Sequence, residues 1–237
     1  MGAVYRKELK SYFHTPAGWL FLCVFLSIGS LVFYLNNLLP RNSDFTPFLS
    51  MMSYVWMLLA PILVIRLIAG EHRAMTDRLL LSSPLSVSSV VAGKYLAACT
   101  MLLFAVLLSF LYPLLIAAYA RLYLLEMLTA YLGFYLQGCA FIALDLAVTS
   151  PMKSTAGAAA VAFGANLFIW LASLLSSSAA VPSAVARAVA FLSLYDRFIP
   201  FLSAQLSPSN ILFYLLFSLC MLAICISVQK TLWARRS

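Results

Sequence analysis

Charge is what this chain has least of. Only 9% of its 237 residues are Asp, Glu, Lys or Arg, where a soluble domain carries about 25%. With 64% hydrophobic residues and a mean hydropathy of +1.00, it cannot clothe a water-facing surface. A soluble globular domain is therefore excluded. Acids are scarcer than bases: seven Asp and Glu stand against 15 Lys and Arg, for a net charge of +8. Such an excess in so apolar a chain points to anchoring at a membrane face, not to nucleic acid. Histidine is nearly absent. His14 and His72 have no companions at ligand spacing and there is no HExxH, so a metal centre is not expected. Ser176, Ser177 and Ser178 have no nearby base to make a nucleophile. Gly93-Lys94 fails as a phosphate loop, because Ser88 stands where the first glycine belongs and Tyr95 where Ser or Thr should follow. The chain is expected to be no enzyme by itself and to hold no cofactor. Its five cysteines, Cys23, Cys99, Cys139, Cys220 and Cys225, all sit in apolar runs without a CxxC pair and read as small packing residues. A cleavable leader is not expected either: the basic start feeds an apolar run too long for one, with no small-x-small site after it.

What the chain has in plenty is long apolar runs. Six reach the roughly 20 residues that cross a bilayer: 17–38, 48–69, 95–119, 127–148, 155–176 and 210–230. Strands of a membrane barrel would be short and alternating, which these are not. The expectation is an all-α integral membrane protein, a single domain over 1–237 with six transmembrane helices.

The connecting segments carry the rest. Over residues 2–14, Tyr5, Leu9, Tyr12 and Phe13 share one helical face, and Arg6, Lys7, Glu8 and Lys10 occupy the remainder. Thr15-Pro16 stops this helix. Residues 1–15 are expected to lie as an amphipathic helix in the membrane interface, against lipid. Segment 177–209 is apolar but interrupted by Pro182, Asp196, Arg197, Pro200 and Pro208. It reads as short re-entrant helices, either a lid over the bundle or an outer gate with Asp196, Arg197 and Pro200 as candidates.

Six spans put both ends of the chain on one side. Arg6, Lys7, Lys10, Arg66, Arg73, Arg78, Lys94, Lys153, Lys230, Arg235 and Arg236 fall on that side, and Arg41, Arg121, Arg187 and Arg197 on the other. The positive-inside rule makes the richer side cytoplasmic. Within the spans, Arg66 and Asp145 both fall near the inner boundary, about 6–8 Å deep at 1.5 Å per residue, and are a candidate ion pair. Gln137 and Asn166 suit interhelical hydrogen bonding. Ala156, Ala160 and Gly164 recur every four residues, a small-xxx-small face for packing within the bundle or against a second copy.

Six of the 22 charged side chains crowd into one place: Arg66, Glu71, Arg73, Asp77, Arg78 and Lys94. The stretch reads "RLIAGEHRAMTDRLLLSSPLSVSSVVAGKYLA". It resembles the first intracellular loop of type-2 ABC exporter permeases, in the branch of gliding-motility-associated permeases. Arg66, Ala69, Glu71, Arg73, Thr76, Leu79, Leu80, Leu81, Pro84, Leu85, Ser86, Val90, Gly93, Lys94, Leu96 and Ala97 fall on that pattern. The opening "RKELKSYFHTPAGW" is similar to that branch as well. Met75 stands where the pattern has Gly, and Asp77-Arg78 where it has an apolar residue followed by Glu.

The resemblance implies a half-transporter in the cytoplasmic (inner) membrane of a bacterium. It would work with a second permease subunit, identical or related, and with two soluble ABC ATPase subunits that hold ATP and Mg. Residues 70–94 would carry the coupling helix, with Glu71, His72, Arg73, Thr76, Asp77, Arg78, Leu79, Leu80 and Leu81 at the ATPase. Leucines between charges suit an amphipathic helix set into a groove on a soluble partner, with Pro84 ending it and Ser86 capping the next. The implied function is export of a hydrophobic or amphipathic substrate, lipid-like or peptide, or transmission of force to an envelope complex. Two alternatives remain open: a secondary transporter, or an intramembrane lipid-modifying enzyme.

Overall fold

A computed structural model of the chain describes residues 2–74, 86–118, 123–152, 154–176 and 193–234, without the side chains of 66, 68–74, 175, 176, 233 and 234. The described residues are helical, with no strand among them. Helix α1 spans Gly2–His14 and α2 spans Pro16–Phe33, prolonged by a π-helical turn over Tyr34–Leu38. Then come α3 (Thr46–Ala74), α4 (Val87–Ser109), α5 (Leu111–Ala117), α6 (Leu124–Thr149), α7 (Thr155–Ser176), α8 (Ile199–Leu202) and α9 (Pro208–Ala234). Six helical segments are long and apolar enough to cross a membrane: Pro16–Leu38, Thr46–Ile65, Val87–Ala117, Leu124–Thr149, Thr155–Leu174 and Pro208–Leu232. The chain is a multi-pass membrane protein by this measure, as the apolar runs predict.

The helix boundaries differ from the apolar ones around the charged stretch. Helix α3 continues past the apolar run 48–69, to Ala74, and α4 begins at Val87, not near 95. Charge marks where a chain leaves apolar surroundings. It does not end a helix, and Glu, Arg and Lys are good helix formers. The start of α4 is set by Ser86, whose extended backbone and Oγ, accepting from the Ser89 N–H at 3.4 Å, cap it.

Helix α6 is the centre of the bundle. It packs against α3, α4, α7, α8 and α9. In its most apolar stretch 78% of residues are buried, against 22% and 17% in the spans of α7 and α9, which lie at the periphery. Lipid tails are as apolar as leucine, so packing and interhelical hydrogen bonds hold such a bundle together. The packing is strongly aromatic: Phe25, Trp56 and Phe134, from α2, α3 and α6, stand with ring centroids 5.2–6.4 Å apart.

Two long apolar helices contain a proline, and each leaves a carbonyl without its usual helical donor. Pro113 interrupts the third span between α4 and α5 and deprives the Ser109 carbonyl, which takes the Tyr131 hydroxyl of α6 at 3.0 Å. Pro61 lies inside α3 and deprives the Met57 carbonyl. The Asn166 side chain of α7 reaches that one at 3.4 Å.

Candidate functional site

Helix α1 packs along α4 at the end of the bundle where the chain begins. Val4 meets Gly93, where a Cβ would stand 3.1 Å from the valine side chain. The Tyr5 hydroxyl lies 3.2 Å from Thr100 Oγ1, and Phe13 packs edge-on to Phe104 with centroids 5.6 Å apart. Tyr12 is buried and donates to the Leu63 carbonyl of α3 at 2.9 Å. The corner at Thr15 is closed by side chains. Thr15 Oγ1 donates to Ser11 O at 2.8 Å, and Trp19 Nε1 to Phe13 O at 2.9 Å. Gly18 has no alternative there, since a Cβ would fall 2.1 Å from the Tyr12 carbonyl oxygen.

One expectation for α1 is corrected. Arg6 and Lys7 are exposed, as an outer polar face requires, but Glu8 is not on that face: it is buried with Val4 and Tyr12. Position 8 lies midway between two residues packed on the bundle, and helical spacing leaves it nowhere else to go. Its carboxylate keeps a cation beside it, with Lys7 Nζ 3.8 Å from Glu8 Oε1.

The coupling candidates begin on α3. Glu71, His72 and Arg73 belong to its last helical turns. Their side chains, and the whole of Thr76, Asp77, Arg78, Leu79, Leu80 and Leu81, lie outside the described residues.

Asp145 is wholly buried on α6. Its Oδ2 accepts from Asn166 Nδ2 at 3.3 Å, and the same amide nitrogen touches Met57 O. The Asp145 Oδ1 and the Asn166 Oδ1 have no hydrogen-bond partner among the described residues. Met57 and Asn166 each stand 11 residues into their spans, about 16 Å at 1.5 Å per residue. Asp145 therefore faces the middle of the second and fifth spans, although it is only four residues from the end of its own. Counting residues to the nearest turn places it near the boundary; the neighbouring helices, which extend further, place it deep. The Arg66 side chain is outside the described residues. Its backbone is nine residues past Met57 on α3, about 13 Å further along the axis.

The small-residue face points away from the bundle. Ala158, Ala162 and Asn166 are the buried side of α7, while Ala156, Ala160 and Gly164 are exposed, and a Cβ on Gly164 would meet nothing within 4 Å. Among the described residues α7 packs within the chain through the opposite face.

At the far end, residues 193–202 turn into the bundle. Leu194 and Phe201 are wholly buried. The Leu194 carbonyl accepts from the Tyr214 hydroxyl at 2.7 Å and from Gln137 Nε2 at 3.5 Å. Tyr195 stacks on Tyr54, with centroids 5.2 Å apart. Gly133 makes room for this segment: a Cβ there would stand 2.5 Å from the Phe201 ring. Of the three gate candidates, Arg197 docks on α9, with Nη1 donating to Asn210 Oδ1 at 3.0 Å and its guanidinium carbon 4.6 Å from the Phe213 ring centroid. The Asp196 N–H is held by Ser193 Oγ at 3.1 Å. Pro200 opens α8, and its carbonyl accepts from Ser203 and Gln205. Residues 193–207 form turns, the four-residue α8 and a loop packed on the bundle; 177–192 of the segment expected to be re-entrant lie outside the described residues.

Tyrosine is the functional class the composition conceals. Tyr12, Tyr112, Tyr131, Tyr135 and Tyr214 each donate to a backbone carbonyl of another segment. For all but Tyr12 the available signal was a position inside an apolar run, where a hydroxyl has no water to turn to. Among the described residues no group of three or more His, Cys, Asp or Glu could hold a metal ion. No protein-family model matches the chain, and no curated protein matches it.

Proposed function

We propose that the chain is the transmembrane subunit of an ATP-driven exporter of the type-2 ABC kind. Its first inter-span loop would receive force from a separate ATPase. The observation that carries this reading is the place of the charged stretch. It begins on α3, which continues as one helix beyond its apolar run to Ala74, and ends with Lys94 on α4, at the end of the bundle where α1 also sits. A helix that leaves the membrane intact is a lever, and α1, docked on α4 and α3, braces its base. Both ends of the chain are cytoplasmic in this reading, and ATP with Mg stays on the partner subunits. Closure of two ATPases would push the loops of two such permeases together and tilt α3 and α4, a hinge between two packed states. The cargo class is hydrophobic or amphipathic, in keeping with an interior of aromatic and aliphatic side chains.

Purification of the tagged full chain from its native membrane tests this reading. It should bring down a soluble P-loop ATPase whose activity changes on association. Charge reversal at Glu71 or Arg73, or Leu80→Asp, should leave insertion intact and abolish that change. A stable chain that transports without any ATPase would overturn the proposal and favour the secondary-transporter alternative, for which the buried Asp145 is the supporting feature.

A further inference from the structure

The group that this function does not use is the polar cluster at the middle of the second and fifth spans, four residues from the end of the fourth. It holds four acceptor oxygens: Asp145 Oδ1 and Oδ2, Asn166 Oδ1, and the Met57 carbonyl deprived by Pro61. Against them stands one donor group, Asn166 Nδ2, shared between Asp145 Oδ2 at 3.3 Å and Met57 O at 3.4 Å, both long for a hydrogen bond. Asp145 and Asn166 are both wholly buried. The contrast with Pro113 is instructive, because there the deprived carbonyl is fully served by Tyr131 at 3.0 Å. Among the described residues the Asp145 cluster is short of positive charge, and a buried carboxylate must be paired or bound to a cation.

The elements packed around it supply none that touches it among the described residues. Helix α7 has no ionisable side chain. On α9, Cys225 donates to the Leu146 carbonyl. On α4 the ionisable groups are Lys94, Tyr95 and Cys99. On α3 they are Tyr54, three residues before Met57, Arg66, nine after it, and Glu71, His72 and Arg73 in its last turns. Tyr195, Asp196 and Arg197 belong to the far end.

We infer that Asp145, Asn166 and the Met57 carbonyl form a buried site for one small monovalent cation, H⁺ or Na⁺. One carboxylate with neutral oxygens matches a single charge, and a carbonyl freed where a membrane helix is interrupted is a known way to supply a hard oxygen ligand. The inference stands apart from the ATPase reading, since it needs no partner.

The full chain in lipid nanodiscs tests it. Thermal unfolding is followed at constant ionic strength as choline is replaced by Na⁺, and the infrared spectrum is searched for the carbonyl band of a neutral carboxylic acid. A saturable rise in unfolding temperature with Na⁺, weakened by about tenfold or more in apparent affinity in Asp145→Asn, assigns the site to Na⁺. No Na⁺ effect, together with a neutral-acid band that disappears in Asp145→Asn, assigns it to H⁺. Should Asp145→Asn fail to insert, Asn166→Leu serves instead: it weakens the Na⁺ effect or shifts the band. An unfolding temperature indifferent to Na⁺ and a spectrum without a neutral-acid band sensitive to these variants would overturn the inference.

Discussion

At the scale of single residues, the bundle is governed by where deprived carbonyls find donors. Tyr131 repairs the break made by Pro113, so Tyr131→Phe should strand the Ser109 carbonyl and destabilise the protein by about 1–2 kcal/mol. Pro113→Ala restores a backbone N–H at the break, and in that background the same Tyr131→Phe change should cost clearly less. Unfolding of the four proteins in one detergent measures this, and equal costs in both backgrounds would refute the repair. This partnership was only half legible in the sequence. A proline inside an apolar run announces a freed carbonyl, but which tyrosine of 12 answers it depends on how the helices face each other.

Among the described elements, α1 and the segment 193–202 are the two that do not span, and both are packed firmly onto those that do. Helix α1 lies against α4 with the Val4 side chain 3.1 Å from the ideal Cβ position of Gly93, near the Cβ separation of a disulfide. A Val4→Cys, Gly93→Cys pair in a background without the native cysteines should therefore cross-link on mild oxidation. An α1 that floats free on lipid would give no cross-link. For the far segment, Gly133→Ala places a methyl group against the Phe201 ring, an overpacking worth about 1–3 kcal/mol. The loss should be local: amide exchange of 193–206 should quicken while that of α6 stays slow, and uniform exchange would show that the segment does not hold its place through Gly133. The amphipathic pattern of 2–14 was plain in the sequence. Burial of Glu8 was not, because a periodicity of apolar residues says nothing of a carboxylate that finds its cation, Lys7, next door.

For the whole molecule, the open face of α7 is where the proposed half-transporter would meet a second copy. Ala156, Ala160 and Gly164 present a strip of bare backbone that is exposed among the described residues, and a second copy is the occupant the half-transporter reading requires. Ala160→Cys should then form a cross-linked dimer in native membranes. Gly164→Leu should lower that yield several-fold while leaving the unfolding temperature of the isolated chain within about 2 °C of wild type, since an exposed substitution costs little. Cross-linking unaffected by Gly164→Leu would remove α7 from the dimer face.

Composition and the length of the apolar runs were enough for the class, the number of spans and the side on which the basic residues collect. Those properties follow from the thickness and low polarity of a bilayer, which act on each segment separately. Only the tertiary structure decided the rest. It decided that α6 is the centre and α7 the rim, that the small-residue face looks outward, and that Asp145 meets Asn166 and the Met57 carbonyl at mid-depth. These depend on the rotation and offset of each helix against its neighbours, and an apolar run carries no record of either, because lipid and a neighbouring helix are equally hospitable to its side chains.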